Sequence, residues 1–250
     1  HQSWTSLDQR FRIVRTGIFP SYTPDGRHRV GNDQTAGILH NSILTMAADG
    51  TGAKMLFGET GRSALAPEVS RDGTRIAFGL GQFFQNLKGP AKADIATINL
   101  EGLDLKVLTD GTGNYGFPSW SPDGSQIVFR KAGGSGNALE IIDAVSGKRR
   151  SLLSGAAHYN FPTWSPVSNR IAFTADIDGD YEIWTIGADG SELRRLTSSP
   201  GNDAHNSWSP DGKWIAFNSA EGRWGSTEVA LMKADGSVAS LRRILDEGLE

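Results

Sequence analysis

The sequence predicts an all-β fold, a β-propeller made of four-stranded antiparallel blades, and two observations support it. First, a short segment ending in Ser-Pro-Asp-Gly or a close variant recurs five times, and each copy contains one apolar or aromatic anchor residue. The anchors, spaced 47, 51, 44 and 44 residues apart, are Tyr22, Val69, Trp120, Trp164 and Trp208. Second, several β-rich runs follow each anchor. A period of about 45 residues is typical of a radial array, because one unit cannot bury its own apolar face.

The fourth repeat shows the order of elements within one unit. Residues 161–164 form a short first strand, and residues 170–174 alternate as a second strand. An acidic loop leads to a third strand at 181–186, and an Asp-Gly turn leads to a fourth at 193–197. The same order recurs in the other repeats, which predicts four antiparallel strands per blade.

These motifs resemble those of the TolB-like β-propellers, whose WD40-like Pro-Asp repeat has a W-S-P-D-G turn, an I-A-F strand and an A-D-G-S turn. The resemblance extends over residues 15–245. Repeat one departs from it, since the I-A-F strand is missing at 27–31. Repeat two has Arg71 in place of the turn Pro, and repeat four has Val167 and Ser168 in place of Asp-Gly. The resemblance implies a periplasmic or secreted protein that binds partners.

The extent of the repeats predicts a single domain over residues 1–250. Five repeats are complete, and residues 9–14 have the pattern of an extra strand at the N-terminal end. The number of blades stays open at this point, because the length favours five whereas the resembled family favours six.

The composition argues against several classes of function. The formal net charge is −3, which gives no electrostatic basis for binding nucleic acid. Basic residues at 148–150, 194–195 and 242–243 occupy the same place in their repeats, and we interpret them as solvated outer strands. No apolar run reaches the length of a membrane span, so we expect no membrane insertion. The absence of Cys rules out thiolate chemistry and is compatible with a periplasmic or secreted location.

The connections between strands divide the predicted disc into two unlike faces. The Pro-Asp-Gly and Asp-Gly turns share one face, whereas the loops on the opposite face vary in length and chemistry, as binding loops do on a rigid scaffold. Asn, Tyr and His side chains near the central channel either cap strand ends or offer a peptide or sugar hydrogen bonds and flat apolar surface. The expected binding funnel comprises Asn114, Tyr115, His158, Tyr159, Asn160, Asp203, His205 and Asn206, with Arg223 and Trp224 at its rim.

One candidate metal site combines His158, His205 and Asp203 from adjacent repeats. Two imidazoles and a carboxylate are sufficient to hold a divalent cation. However, His158 lies six residues before its Trp anchor and His205 only three, so the two rings do not occupy equivalent positions.

A second candidate is the acidic loop of the fourth repeat. Asp176, Asp178 and Asp180 alternate as calcium ligands do. Gly179 precedes the third Asp, whereas the Gly of a helix-loop-helix calcium site follows its third ligand. An acidic hairpin turn explains the segment equally well. We therefore expect no cofactor, with calcium or another divalent ion as the alternative.

The sequence favours a non-enzymatic binding or scaffold propeller that docks a protein or peptide on its loop-rich face. The alternative is a carbohydrate propeller using the same funnel, either a lectin-like binder or a metal-assisted polysaccharide lyase. A structural fragment of a longer protein is a third possibility. No G-x-S-x-G nucleophile motif occurs, and we expect no catalytic residues.

Overall fold

A computed structural model of the chain describes residues 17–33, 41–83, 91–133, 136–198, 200–220, 228–237 and 242–243. The described residues form twenty strands and no helix, so they contain no helical segment capable of spanning a bilayer. Antiparallel pairing in each repeat gives the predicted four-stranded blade, five in the described residues, and one parallel bridge joins blades 2 and 3 into an eight-stranded sheet. The extra strand expected at 9–14 lies outside the described residues.

The strands follow one another from the axis outwards in each blade. Blade 1 comprises β1 (Gly17–Tyr22), β2 (His28–Asp33), β3 (Ser42–Ala47) and β4 (Lys54–Phe57). Blade 2 comprises β5 (Ser63–Val69), β6 (Arg75–Gln82), β7 (Lys92–Asn99) and β8 (Lys106–Val107). Blade 3 comprises β9 (Asn114–Trp120), β10 (Gln126–Ala132), β11 (Asn137–Asp143) and β12 (Arg149–Gly155). Blade 4 comprises β13 (Tyr159–Trp164), β14 (Arg170–Ala175), β15 (Glu182–Gly187) and β16 (Arg194–Arg195). Blade 5 comprises β17 (Asp203–Trp208), β18 (Trp214–Ser219), β19 (Glu228–Lys233) and β20 (Arg242–Arg243).

The apolar cores lie between adjacent blades rather than within one. The cluster that joins blades 3 and 4, for example, packs Val128 and Leu139 against Trp164 and Phe173. Corresponding clusters join blades 1 and 2, blades 2 and 3, and blades 4 and 5. Each four-stranded sheet therefore depends on its neighbour to remove its apolar face from water.

Hydrogen bonds add a repeated connection between blades. The residue before each anchor bonds to the next anchor: the backbone N–H of Val69 donates to Ser21 Oγ at 3.0 Å, and that of Trp164 donates to Ser119 Oγ at 2.9 Å. The anchors of blades 2 to 4 are only 5–7% exposed, whereas Tyr22 is 53% exposed. The innermost strands of blades 1 and 5 approach at the axis, where the ring centroids of Phe19 and His205 are 6.3 Å apart.

The Pro-Asp-Gly turns are held by their aspartates. Asp123 accepts hydrogen bonds from the Ser121 hydroxyl at 2.6 Å and the Ser125 N–H at 3.0 Å, and these bonds lower the pKa of Asp123. Blade 4 has no Asp at this place, and the hydroxyl of Ser168 donates to Ser165 Oγ instead. The Asp side chain replaces backbone partners in a tight turn, which explains why the motif recurs.

The basic outer strands are exposed at Lys148, Arg150 and Arg194, as the sequence predicts, but their arginines also make specific contacts within the fold. Arg149 pairs with Asp110 at 2.9 Å, and Arg150 Nη2 donates to the Ala188 carbonyl of blade 4 at 2.6 Å. The side chains at 242–243 lie outside the described residues. The basic pairs therefore connect strands and blades.

Candidate functional site

The innermost strand of every blade contains a β-bulge at the same position, where two of its residues face one residue of the second strand. A residue other than Gly adopts a positive φ of 49–57° at each bulge: Phe19, Ala66, Phe117, Phe161 and His205. A left-handed conformation costs such a residue roughly 1–2 kcal/mol. The repetition of this strain at five equivalent places shows that the bulge is a constant feature of the inner strands.

The second residue of each bulge explains how the strand tolerates the missing pairing. In four of the five bulges it is Pro, which has no N–H to leave unpaired: Pro20, Pro67, Pro118 and Pro162. Asn206 takes this place in blade 5, where its Nδ2 donates to Thr163 Oγ1 at 2.7 Å and its Oδ1 accepts from Thr174 Oγ1 at 3.2 Å. Asn206 therefore joins blade 5 to blade 4.

The bulges bring four rings together at the axis. The ring centroids of Phe19 and Phe117 are 5.3 Å apart, those of Phe117 and Phe161 are 4.7 Å apart, and those of Phe161 and His205 are 4.0 Å apart. We call these four residues the axial cluster. The three Phe residues are half-buried and His205 is exposed, so the cluster presents accessible aromatic surface. Partial burial beside Phe161 lowers the pKa of His205, which favours the neutral ring.

Phe83 shows on which side the cluster meets the loop-rich face. It follows β6 at the beginning of the long second-to-third-strand loop, and it packs with Ala66, Phe19 and Phe117. The Asn114 amide donates to the Phe83 carbonyl at 3.1 Å, which holds this residue against the innermost strand of blade 3. The axial cluster is therefore connected, through Phe83, to the end of the innermost strands from which the loop-rich face extends.

Arg130 places a positive charge beside the axial cluster. It lies on β10, with its Cζ 4.9 Å from the centroid of the Phe117 ring, and its Nη1 donates to Asn160 Oδ1 at 3.2 Å. Its Nε is buried and has no hydrogen-bond partner. Burial lowers the pKa of Arg130 to about 10, and no carboxylate in the described part of the chain pairs with it.

Sequence reasoning missed Arg130, although a signal was present. The residue after the I-A-F or I-V-F strand core is Gly79 in blade 2, Thr174 in blade 4 and Asn218 in blade 5. Only the third repeat has a charged residue at this place. Charged side chains are rarely buried without a role, so an Arg within an otherwise apolar strand core indicates a candidate functional residue.

The two predicted funnel tyrosines belong to the cores between blades instead. Tyr115 is 1% exposed and Tyr159 is 5% exposed. The Tyr115 hydroxyl lies 3.1 Å from Thr112 Oγ1 and 3.3 Å from an oxygen of Asp110, so its polar end is satisfied inside the fold. The structure therefore does not present either ring to a ligand in the funnel, contrary to the sequence-based prediction.

The remaining predicted residues divide into three groups. Asn114 and Asn160 contact Phe83 and Arg130, as described, and His205 lies in the axial cluster. Asp203 and Asn206 are buried, at 1% and 4% exposed, and contribute to strand and blade contacts. Arg223 and Trp224 lie outside the described residues.

His158 and His205 do not converge on one metal site. The Nδ1 atom of His158 lies 2.9 Å from Asp176 Oδ2, and its backbone N–H donates to Asp176 Oδ1 at 2.6 Å. Asp178 instead approaches Arg195, with 3.5 Å between Oδ2 and Nη1. In the described ranges, no group of three His, Asp or Glu side chains is placed to hold a metal ion. Neither predicted ligand set is therefore assembled by these residues.

Two carboxyl groups with raised pKa values are held within the scaffold. Burial raises the pKa of Glu68 to about 7, against the effect of hydrogen bonds from the Trp120 N–H and the Ser119 hydroxyl. Burial also raises the pKa of Glu182, which accepts hydrogen bonds from Thr197 and Arg195. Perturbed carboxyl groups can mark catalytic sites, but both of these connect strands or blades.

Comparison with known proteins confirms the resemblance inferred from the motifs. Residues 145–247 match the family profile described as the TolB beta propeller domain. The structure of putative TolB from Agrobacterium tumefaciens is similar with a TM-score of 0.77 and 21% identity, over 92% of this chain and 80% of that one. Crystalline TolB from Acinetobacter baumannii is similar with a TM-score of 0.71 and 19% identity, over 89% of this chain and 53% of that one.

An enzyme has the same architecture. The structure of oligogalacturonate lyase from Vibrio parahaemolyticus has a TM-score of 0.63 and 15% identity, over 92% of this chain and 65% of that one. The chain thus spans about half to two thirds of the length of two of these three proteins. A comparison with curated proteins gives no match. The chain has the TolB-like β-propeller fold, and that fold alone does not select among binding and catalytic functions.

Proposed function

We propose that this TolB-like β-propeller is a binding module whose axial funnel docks a segment of a protein partner. The axial cluster is the observation that carries the proposal. Its rings are held by strained bulges on rigid innermost strands, yet they keep accessible surface. Partly exposed aromatic rings on a rigid support are typical anchors of protein recognition, because they bury a large area without losing much conformational entropy.

The polar groups around the cluster support a peptide ligand. Asn114 and Asn160 lie on innermost strands that also hold rings of the cluster. Arg130 lies on the adjacent second strand of blade 3. Amide groups can pair with the N–H and C=O groups of an extended chain, while the rings accept its apolar side chains. A periplasmic or secreted location is part of the proposal, supported by the likeness to TolB structures and by the absence of Cys.

Carbohydrate binding is the second candidate function. The fold is shared with oligogalacturonate lyase, and flat rings next to an arginine also suit a sugar that bears a carboxylate. The peptide proposal is favoured because Tyr115 and Tyr159 are buried, which leaves fewer aromatic platforms for stacking sugar rings.

Selection of peptides from a random phage-displayed library tests the proposed function. Peptides that bind the wild type are synthesised, and their affinities are measured for His205→Ala and Phe117→Ala. We expect losses of about tenfold or more, the size of one lost aromatic contact. Lys213→Ala is the matched control, because this side chain is exposed on the turn face. Thermal melts check that each variant is folded. Equal affinities for wild type and both ring variants would overturn the proposal.

A further inference from the structure

Arg130 is half-buried, yet no carboxylate among the described residues pairs with it. Most of the buried or half-buried arginines described here have a carboxylate: Arg75 pairs with Asp104 at 2.8 Å and Arg149 with Asp110 at 2.9 Å. Arg130 has only the neutral Asn160 oxygen as a hydrogen-bond acceptor among the described side chains, with the Phe117 ring beside it. Removing a guanidinium from water without a counter-ion costs free energy, which an anion in the funnel would recover.

The geometry around Arg130 suits a carboxylate in particular. A guanidinium has five N–H groups in a planar fork, and here Nη1 contacts Asn160 while Nε is buried and unpaired. Because Nε has no accessible surface, a ligand meets the outer Nη1 and Nη2 edge of the fork, whose N–H groups match the oxygens of a carboxylate. The contact of the guanidinium with the Phe117 ring restrains its plane, so that the fork is oriented before a ligand arrives.

The neighbouring residues add selectivity for a peptide. Asn114 Oδ1 is buried and unpaired, although the Nδ2 of the same amide donates to Phe83. An unpaired amide oxygen can accept a hydrogen bond from a peptide N–H. Asn114 and Arg130 belong to paired strands of blade 3, since the Cα partner of Asn114 is Ala132, two residues beyond Arg130. Blade 3 therefore holds, on two paired strands, one buried acceptor without a donor and one cation without a carboxylate, and an N–H and a carboxylate are the groups that would satisfy them.

We propose that the segment docked in the funnel presents a carboxylate to Arg130, from an acidic side chain or from a free C-terminus. This inference rests on the proposed docking function and specifies its ligand chemistry. The axial cluster receives the apolar side chains of the segment, and Arg130 selects segments that have an acidic group beside them. Charge-assisted hydrogen bonds to a desolvated guanidinium are stronger than neutral ones, so the acidic group decides which segments bind tightly.

The test uses the peptides selected on the wild-type protein. Each Asp or Glu of a peptide is replaced by Asn or Gln, and each peptide is made with a free and with an amidated C-terminus, which separates the two sources of carboxylate. We expect one of these changes to weaken binding to the wild type about 10- to 100-fold. The same change should have little effect on Arg130→Gln, and Arg130→Lys should recover part of the preference. Arg27→Gln is the control, since Arg27 is exposed beside the Pro-Asp-Gly turn of blade 1.

A nuclear magnetic resonance titration provides a second measurement that folding defects do not imitate. The Nε–H signal of Arg130 should shift with the acidic peptide and not with its amide analogue. Peptides that depend on His205 but bind equally well as acid and amide would overturn the carboxylate inference and leave docking intact. Peptides that depend on neither His205 nor Arg130 would overturn docking itself. A shift caused by digalacturonate and by no peptide would show that the partner is an acidic sugar, against the proposal.

Discussion

Single residues at the axis combine strain with exposure. Phe19, Phe117, Phe161 and His205 adopt left-handed backbone conformations that L-residues rarely adopt, and they present their rings to one another. A Gly at these places would relieve the strain but would remove the ring. Four of the five bulges have a ring, and only that of blade 2 has a small residue, Ala66, which indicates that ring surface at the axis outweighs the relief of strain.

His205 makes the axial cluster sensitive to acid. Its pKa is lowered from the usual 6.5, so the unfolded chain binds a proton more readily than the folded one. The contribution of His205 to stability is therefore lost as the pH falls below 6.5. His205→Phe, which repeats the residue of blades 3 and 4, should remove this loss. The difference in melting temperature between His205→Phe and wild type should grow as the pH falls, whereas a difference independent of pH would contradict the prediction.

The sequence could indicate which residues are chemically unusual but not which are accessible. Tyr115 and Tyr159 each stand two residues before a Phe-Pro pair, in a segment that the sequence predicts as an exposed loop. Both side chains are nevertheless buried between blades. Arg130 stands out in its strand, but its lack of a counter-ion depends on the blades around it. Side-chain accessibility depends on neighbours distant in sequence, which local patterns do not specify.

At the level of elements, the connection between neighbouring innermost strands recurs with one variation. Ser21 and Ser119 accept the N–H of the next anchor through a hydroxyl, and Glu68 does so through a carboxylate at 3.0 Å. The indole Nε1–H of Trp120 also donates to the Glu68 carbonyl at 3.1 Å. Blades 2 and 3 are thus joined by an ionisable group, and they also share a parallel strand pair between Ala93 and Asn114.

Glu68 should make the connection between blades 2 and 3 weaker at higher pH. Its pKa rises from 4.5 to about 7 on folding, so the folded state keeps a proton that the unfolded state has already released. Its contribution to stability is complete below pH 4.5 and is lost as the pH rises through about 7. Glu68→Gln keeps an acceptor for the Trp120 N–H and does not ionise. Thermal melts at several pH values should show that the variant lacks this decline and exceeds wild type above neutrality.

Glu59→Gln is the matched control for this prediction, because Glu59 is more exposed and pairs with Arg62 within the loop between blades 1 and 2. It should keep the wild-type dependence on pH between 4.5 and 7. Parallel pH profiles for Glu68→Gln and wild type would show that the carboxyl group is not the source of the effect.

At the level of the whole molecule, the shared cores predict cooperative unfolding. Each apolar cluster belongs to two blades, so the loss of one blade exposes the core of its neighbour. We expect one calorimetric transition whose van't Hoff and calorimetric enthalpies agree, which is the behaviour of a single domain. Two separate transitions, for example one for blades 1 to 3 and one for blades 4 and 5, would contradict the single-domain prediction.

The sequence by itself determined the repeat and the four strands of each blade. These features follow from alternation with a period of two and from turn residues, which act over a few positions. Only the tertiary structure decided that Phe19, Phe117, Phe161 and His205 meet at the axis, and that Arg130 lies among neutral groups. The physical reason is that the ring contacts and the surroundings of Arg130 both depend on the distance between blades. That distance is set by packing between repeats, which no single repeat encodes.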